Sequence, residues 1–234
     1  APFKEMEPEM THAIEFGTEW RFFQHRLGVN LTYYRTNTYN QFFKLPALAG
    51  DKYAYRYVNA GNIQNRGWEL TLNGTPVLTP DFNWKTSVNF STNKNKIVKL
   101  HEDLKEMIYG PTSFSSSYAM KLIKGGSIGD IYVNSVKKDG NGYVYVNPNT
   151  LSMMVDNENL IYAGNTNPDC SLGFNNTFSY KGFTLSFLID ARIGGKVVSA
   201  TQAVLDSFGV SEQSAKARDN GGVLVNGVLM DAET

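Results

Sequence analysis

The sequence predicts an all-β fold, a segment of an antiparallel transmembrane β-barrel with long extracellular loops. Six segments alternate apolar and polar residues, and only a β-strand gives its side chains this period of two. The segments form three pairs, with short connections inside each pair and long connections between pairs. The predicted strands cover residues of about 10–22, 26–36, 60–73, 82–93, 170–180 and 183–193.

The clearest pair of strands flanks the turn dipeptide Lys181-Gly182. A tilted strand of about 9–11 residues is long enough to cross the bilayer core. One apolar face and one polar face suit a barrel wall between lipid and an aqueous lumen. The apolar side holds Leu172, Phe174, Phe178, Tyr180, Phe183, Leu185, Phe187, Ile189 and Ala191, and the polar side holds Gly173, Asn175, Thr177, Ser179, Thr184, Ser186, Asp190 and Arg192.

The two other pairs divide in the same way. Residues 23–25 form a tight connection in the first pair, and residues 74–81 turn the chain in the second. The apolar positions are Met10, His12, Ile14, Phe16, Trp20, Phe22, Leu27, Val29, Leu31, Tyr33, Trp68, Leu70, Leu72, Phe82, Trp84, Val88 and Phe90.

The connections between the pairs are long and irregular. They cover residues of about 37–58 and 94–169, and a tail covers 194–234. Outer-membrane barrels have short periplasmic turns and longer extracellular loops. We therefore place Gln24, Pro76 and Gly182 on the periplasmic side, and the long segments outside.

Some local structure is predicted inside these long segments. Pro46 breaks the alternation and indicates a loop. Short strands are predicted at 131–136 and 143–146, with a turn at 139–142 between them. A helix is predicted near residues 199–208.

Charge placement supports the assignment of the two faces. Glu15, Glu69, Lys85 and Arg192 all fall on the side without bulky apolar groups. An Arg or Lys at the lipid-facing midplane would cost about 2–4 kcal/mol. The predicted aromatic girdle consists of Trp20, Trp68, Trp84 and Tyr180. A soluble β-sandwich with one buried face alternates as well, and this alternative stays open.

Composition excludes several classes of protein. The 234 residues include 22 basic and 22 acidic ones, so net charge gives no sign of a nucleic-acid partner. The single Cys170 cannot form an internal disulfide, and no apolar run is long enough for a transmembrane helix. The sequence opens on APFKEMEPEM and ends on NGVLMDAET, neither of which reads as a barrel strand, so we expect a fragment of a longer protein.

An ordered set of motifs resembles one known family, the SusC/RagA-type TonB-linked (TonB-dependent) outer-membrane transporters. The motifs span nearly the whole chain and occur in the family's order. They are EMEPEMTHAIEFGTEWRFFQHRLGVNLTYYRTNTYNQ, NAGNIQNRGWELTLNGTP, FSTNKNKIVKL, GSIGDIY and GNTNPDCSLGFNNTFSYKGFTLSFLIDA.

The resemblance implies a 22-stranded barrel with an amino-terminal plug, in the outer membrane of a Gram-negative bacterium. It implies energised import of glycan or peptide oligomers, driven by the TonB complex and covered by a SusD-like surface lipoprotein. The plug and the TonB-contacting segment have no match in these residues. We therefore expect a late part of the barrel wall, in contact with outer-membrane lipid, together with its outer loops.

No catalytic, cofactor or metal site is predicted. His12, His25, His101 and Cys170 lack metal-ligand spacing. Residues 125–130 lack the Lys-Ser/Thr ending of a phosphate loop, which indicates a turn. The acidic stretches at 139–142 and 156–159 do not fit the twelve-residue calcium loop, and the acidic cluster at 101–106 is predicted to be a solvated surface.

The long loops are rich in aromatic residues. Sugar rings stack on aromatic faces, with nearby polar groups fixing the hydroxyls. Packing of the loops against each other also explains these residues and is the interpretation that their composition favours. The candidate ligand or lid contacts are Tyr53, Tyr55, Tyr57, Tyr109, Phe114 and Tyr118.

Three functions are therefore considered. The first is a portion of an importer, in which these residues form barrel wall and extracellular loops. The second is a soluble β-sandwich, such as a carbohydrate-binding or adhesin-type module. The third is a structural surface barrel without transport. The resemblance favours the first.

Overall fold

The computed structural model describes residues 6–46, 52, 55–59, 61–100, 106–109 and 118–230. The strands are β1 (Met10–Phe22), β2 (Leu27–Tyr39), β3 (Phe42–Pro46), β4 (Tyr55–Asn59), β5 (Asn62–Leu78), β6 (Phe82–Lys99), β7 (Glu106–Tyr109), β8 (Tyr118–Ile123), β9 (Asp130–Val136), β10 (Val144–Val146), β11 (Val155–Asn165), β12 (Cys170–Tyr180), β13 (Phe183–Ile193) and β14 (Gly227–Leu229). The helices are α1 (Ala200–Ser207) and α2 (Glu212–Asp219). Among the described residues, no helix has the length and apolar content needed to cross a membrane.

The chain divides into two compact units. The first comprises Ala1–Tyr109, Lys121–Asp130 and Asn165–Lys196, and the second comprises Gly110–Met120, Ile131–Gly164 and Val197–Thr234.

The first unit is built on a six-stranded antiparallel sheet with the order β1-β2-β5-β6-β12-β13. It contains a strand for each of the six predicted segments. The three predicted hairpins join edge to edge, because β2 also pairs with β5 and β6 also pairs with β12. In the described part of the chain, β1 and β13 are the edges of this sheet.

Tight turns connect the strands at one end of the sheet, here called the short-turn end; the other is called the long-loop end. Residues 23–25 have φ values of 54°, 53° and 67°, in the left-handed region, and the N–H of Arg26 donates to the carbonyl of Phe23 at 3.1 Å. Lys181 and Gly182 have φ values of 43° and 86°, which suit a type I′ hairpin turn.

One predicted turn lies further along the chain than the sequence indicated. Pro76 was predicted in the turn but lies within β5, beside an irregularity in the ladder between Gly74 and Val77. Proline is tolerated in a sheet at such bulges because it has no N–H to give to the ladder. The turn itself spans residues 79–81, where the N–H of Thr79 donates to the carbonyl of Phe82 at 2.8 Å.

The predicted loops at 37–58, 94–169 and 194–234 contain more regular structure than the sequence indicated. In the first, β3 and β4 pair antiparallel, and Pro46 is the last residue of β3 rather than a loop residue. The second holds the end of β6 and the strands β7 to β11. The third holds α1, close to the predicted 199–208 helix, and α2, which was not predicted because its sequence lacks an apolar stripe.

The second unit contains the short strands predicted at 131–136 and 143–146, as β9 and β10. The intervening loop closes as expected, with the N–H of Asp139 donating to the carbonyl of Tyr143 at 2.9 Å. However, β10 pairs parallel with β14, near the end of the chain, where Val144 lies opposite Gly227. This long-range pairing has no local sequence signal.

An apolar cluster lies at the long-loop end of the first unit. It consists of Ile63, Ile97, Leu100, Met107 and Leu122. Ile63 and Ile97 are directly paired, and the period of two puts them on the same face of the sheet as the polar position Glu69. Residues that follow β6 therefore pack onto the polar face of the sheet.

The turn at residues 124–130 docks beside this cluster through backbone and side-chain hydrogen bonds and is here called the clasp. The N–H of Ile97 donates to the carbonyl of Gly126, and the N–H of Gly125 donates to the carbonyl of Ile97, both at 2.8 Å. The Asp130 side chain is 7% exposed. Its carboxylate accepts from the Ser127 N–H at 2.7 Å and from the Asn165 amide at 2.6 Å.

Gly67 allows a side chain to cross the polar face of the sheet. Tyr34 lies directly opposite Gly67, and its hydroxyl reaches over the glycine to donate to the carbonyl of Thr92 at 3.3 Å. A Cβ at Gly67 would lie 1.9 Å from that carbonyl oxygen and 2.6 Å from the tyrosine hydroxyl. The contact links β2, β5 and β6 and leaves no room for a larger residue.

We expect Gly67→Ala to destabilise the folded protein by about 3 kcal/mol, because a backbone oxygen must move to admit the methyl group. The matched control is Gly28→Ala on the same face, where the nearest atom to the new Cβ is 3.8 Å away. Urea unfolding of the full-length protein in lipid vesicles measures both. Equal stability of the two variants would contradict this account of Gly67.

We expect Asp130→Ala to loosen the clasp by about 2 kcal/mol, because one buried donor and one partly buried donor lose a charged acceptor. Hydrogen exchange at the amides of Ile97 and Gly125 should accelerate. The control is Asp139→Ala, which removes the same charge from a more exposed loop and should leave those amides protected. Unchanged exchange in the Asp130 variant would mean that the carboxylate does not hold the clasp.

Candidate functional site

One face of the six-stranded sheet is polar along whole rows of register-matched residues, and is here called the polar face. Residues paired in register share a face of the sheet. One row is Gly17, Thr32, Glu69, Ser91, Ser171 and Arg192, and the next is Glu19, Asn30, Thr71, Asn89, Gly173 and Asp190. The polar positions predicted on separate hairpins thus form one continuous surface.

The opposite face, here called the apolar face, carries the predicted apolar positions in rows that alternate with the polar ones. One apolar row is Thr18, Leu31, Leu70, Phe90, Leu172 and Ala191, and the next is Trp20, Val29, Leu72, Val88, Phe174 and Ile189. No charged residue occurs in these two rows.

Aromatic rings border the apolar rows at both ends. Tyr33 and Trp68 contact each other toward the long-loop end, with ring centroids 4.9 Å apart. Trp84 and Phe178 stack toward the short-turn end, 5.5 Å apart. Along β6, eight positions separate Trp84 from Thr92, the partner of Trp68. This is about 27 Å along the strand, or on the order of 20 Å along a barrel axis, comparable to a bilayer-spanning apolar band.

The polar face is lined by hydrogen-bonding groups of both charge signs. The Arg21 guanidinium lies 2.8 Å from the Glu19 carboxylate, and the Thr71 hydroxyl donates to the Asn89 side chain at 3.1 Å. A hollow of about 330 Å³ opens here and is lined by Glu19, Arg21, His25, Gly28, Val29, Asn30, Thr71 and Asn73. Such a surface can exchange hydrogen bonds with a polar solute.

Within β12 and β13, two residues depart from the alternation. Leu188 lies opposite Asn175 on the polar face and is 64% exposed. Asn176 lies on the apolar face, but it is buried, and its side-chain oxygen accepts from the Trp84 indole N–H at 3.0 Å. Hydrophobic patterning alone gives no signal for either exception.

The structure describes the six predicted aromatic contacts to different extents. Tyr53 and Phe114 lie outside the described residues, and only the backbone positions of Tyr55 in β4 and Tyr109 in β7 are described. The two remaining residues belong to different units and are treated separately.

Tyr57 is 40% exposed, and its ring stacks on Phe42 with centroids 4.9 Å apart. Packing between loop aromatics therefore occurs for this pair, while part of each ring stays accessible. Tyr118 is partly buried in β8, opposite Val133 of β9. The described positions do not by themselves define a ligand pocket.

An asparagine cluster on the polar face was missed by the sequence analysis. The side-chain oxygen of Asn65 accepts from the amide groups of Asn93 and Asn95 at 3.3 and 2.9 Å. The oxygen of Asn95 in turn accepts from the N–H of Ile128 in the clasp at 2.9 Å. The signal was present, since alternation continues through the NKNK motif, but the predicted strand ended at residue 93.

The two histidines that the structure describes, His12 and His25, do not belong to a metal site. The His12 ring contacts the Tyr39 ring, with centroids 5.4 Å apart, and His25 lies in a short turn. His101 lies outside the described residues. Within the described residues, no group of three or more His, Cys, Asp or Glu side chains is placed to hold a metal ion.

Comparison with known proteins identifies the family. The model of the TonB dependent receptor-like β-barrel matches residues 2–210. TonB-dependent receptor P3 of Formosa agariphila is 28% identical over 217 residues, which cover 85% of this chain and 22% of that protein. TonB-dependent receptor SusC of Bacteroides thetaiotaomicron is 25% identical over 201 residues, covering 81% of this chain and 20% of SusC. The chain thus spans about a fifth of the length of these relatives.

Solved structures with the same fold include the RagAB peptide importer in its closed-closed state. The TM-score is 0.61 at 20% identity, over 80% of this chain and 21% of the other. The RagAB peptide transporter gives a TM-score of 0.60 at 21% identity, over 78% of this chain and 21% of the other. The relatives found are receptors and transporters rather than enzymes, as predicted. The two-faced antiparallel sheet and the family match agree, and the chain belongs to the TonB-dependent receptor β-barrel family.

Proposed function

We propose that this chain forms barrel wall and extracellular loops of a SusC-like importer in the outer membrane of a Gram-negative bacterium. The polar face lines the conduit, and the apolar face contacts lipid. The short-turn end faces the periplasm and the long-loop end faces outward, as is general for such barrels. The observation that carries the proposal is the alternation of polar and apolar rows across six paired strands.

A soluble β-sandwich fits the structure less well. A sandwich buries its apolar face against a second sheet. Here Phe16, Leu185 and Ile189 on the apolar face are 69%, 64% and 55% exposed. The packed apolar cluster at Ile63 and Ile97 lies instead on the polar side. Two aromatic girdles bordering an exposed apolar band suit a bilayer.

The cargo of the importer is a polar oligomer, either a glycan or a peptide. The polar face offers amide, hydroxyl and charged groups of both signs rather than one dominant charge, which suits an uncharged or mixed-charge solute. The structurally similar RagAB complexes, a peptide transporter and a peptide importer, support the peptide alternative.

A SusD-like lipoprotein covers the outer opening, and the TonB complex drives import through a segment outside these residues. The candidate contacts with ligand or lid are Tyr53, Tyr55, Tyr57, Tyr109, Phe114 and Tyr118. Tyr57 supports this assignment best, because its exposed ring already lies in a stacked arrangement with Phe42.

Cysteine labelling of adjacent positions tests which face meets lipid. Leu70 and Thr71 are adjacent in β5, so their side chains lie on opposite faces of the sheet. In the full-length protein with Cys170→Ala, Thr71→Cys should react with a water-soluble maleimide from the lumen. Leu70→Cys should react only after detergent replaces the bilayer, or with a lipid-soluble reagent. Fractionation of the protein as soluble without detergent, or equal labelling of both cysteines in the bilayer, would refute the proposal.

We expect Tyr57→Ala to reduce uptake of the oligomer that supports growth about fivefold, because one stacking surface is lost. Tyr143→Ala, a similarly exposed aromatic outside the predicted set, is the matched control and should transport normally. Growth on defined peptide and glycan oligomers measures both, with surface display checked by antibody. Normal uptake in the Tyr57 variant would leave only the packing interpretation for this residue.

A further inference from the structure

Cations continue the apolar face beyond its aromatic border at the long-loop end. Arg35, Arg66 and Lys94 are paired in register across β2, β5 and β6, and are here called the cationic row. The row lies two positions beyond the register row that contains Trp68, on the same face of the sheet. All three residues are exposed, and Lys96 follows on the same face of β6.

The depth of the cationic row matches that of lipid phosphates. Aromatic side chains such as Trp68 sit at the level of the headgroups in membrane proteins. Two further positions advance the chain by about 7 Å along the strand, or on the order of 5 Å along a tilted barrel axis. The three cations therefore follow directly on the edge of the apolar band.

The cationic row places three like charges next to one another across three strands. Like charges directly opposite each other in a sheet are destabilising. In the described part of the chain, no carboxylate forms an ion pair with Arg35, Arg66 or Lys94. The Gln64 amide, with its oxygen turned toward Arg35, accepts from the guanidinium at 2.9 and 3.0 Å and holds it in place.

A hollow of about 410 Å³ lies between the cationic row and the aromatic border. Arg66 and Lys94 line it from one side, and the rings of Tyr33 and Trp68 line it from the other. Asp169 also borders the hollow and leaves it with a net positive charge. Cations beside flat aromatic surfaces suit a phosphate carried on a sugar or glycerol headgroup.

We propose that the cationic row and this hollow bind the phosphorylated headgroup of a lipid in the outer leaflet. The phosphate lies between Arg66 and Lys94, with Arg35 beside it, and the acyl chains run down the apolar face. The inference rests on the proposed membrane orientation, because lipid reaches this surface only if the apolar face is outside the barrel.

Lipid titration of the full-length protein in neutral detergent tests the proposal. The probe is a fluorescent lipid with a phosphomonoester headgroup, compared with a phosphatidylcholine of the same acyl length. The variant R35Q/R66Q/K94Q should lose about tenfold or more in affinity for the phosphorylated lipid and approach the value for phosphatidylcholine. The control R21Q/K85Q/R192Q also removes two arginines and one lysine, but from the polar face. It should bind the phosphorylated lipid like the wild type.

Further measurements keep the outcome interpretable. Heat-modified mobility on electrophoresis verifies folding, and the charge-retaining R35K/R66K/K94R should keep the preference for the phosphorylated lipid. Unchanged affinity in the triple glutamine variant would overturn the inference. Inorganic phosphate that competes as strongly as the lipid would instead assign a free-anion site and also overturn it. A wild-type protein that fails to enter bilayers would refute the proposed function itself. A protein that inserts normally but does not prefer the phosphorylated lipid would refute only the present inference.

Discussion

The continuous antiparallel ladder from β1 to β13 is the constraint on which the rest of the structure depends. In hydrocarbon no water is available to backbone N–H and C=O groups, so a spanning chain must satisfy them within its own sheet. Thirteen register pairs join β1 to β2, and the same continuity extends through β5, β6 and β12. Once this ladder is fixed, each side chain points to one face of the sheet. The alternating sequence then places polar groups on one face and apolar groups on the other.

At the long-loop end, side chains on the polar face of the same ladder are packed by other parts of the chain. Past Trp68, β5 and β6 continue for several residues, and their polar-face positions change from free polar groups to packed ones. Ile63 and Ile97 support an apolar cluster, while Asn95 and Asp130 hold the clasp by partly buried and buried hydrogen bonds, respectively. Residues beyond β6 thereby fold back over the polar face rather than extending away from it. The polar face and the residues that pack over it are in this way joined through one pair of strands, β5 and β6.

Local sequence rules predicted the parts of the fold that depend on neighbouring residues. Alternation located the six strands of the main sheet, and Lys181-Gly182 identified a hairpin turn, because both signals arise within a few residues. The same rules failed where distant segments decide the structure. Pairing of β10 with β14 joins residues more than eighty positions apart, and the extension of β6 through Lys99 is stabilised by the clasp. The polar and apolar faces were therefore predictable, whereas the outer loop architecture was not.

The NKNK stretch of β6 shows that the period of two assigns residues to the two faces of a sheet even where no apolar residue marks the pattern. With no apolar residue in the motif, the strand seemed to end at residue 93. The ladder nevertheless continues, and it sends Asn93 and Asn95 to the polar face while Lys94 and Lys96 go to the other. The asparagines hydrogen-bond to Asn65, and Asn95 also accepts from the clasp. The lysines join Arg35 and Arg66 on the opposite face, the one that we propose borders lipid. The alternating motif thus places neutral amides on the polar face and cations on the opposite face. Both placements follow from the strand geometry that first indicated a barrel.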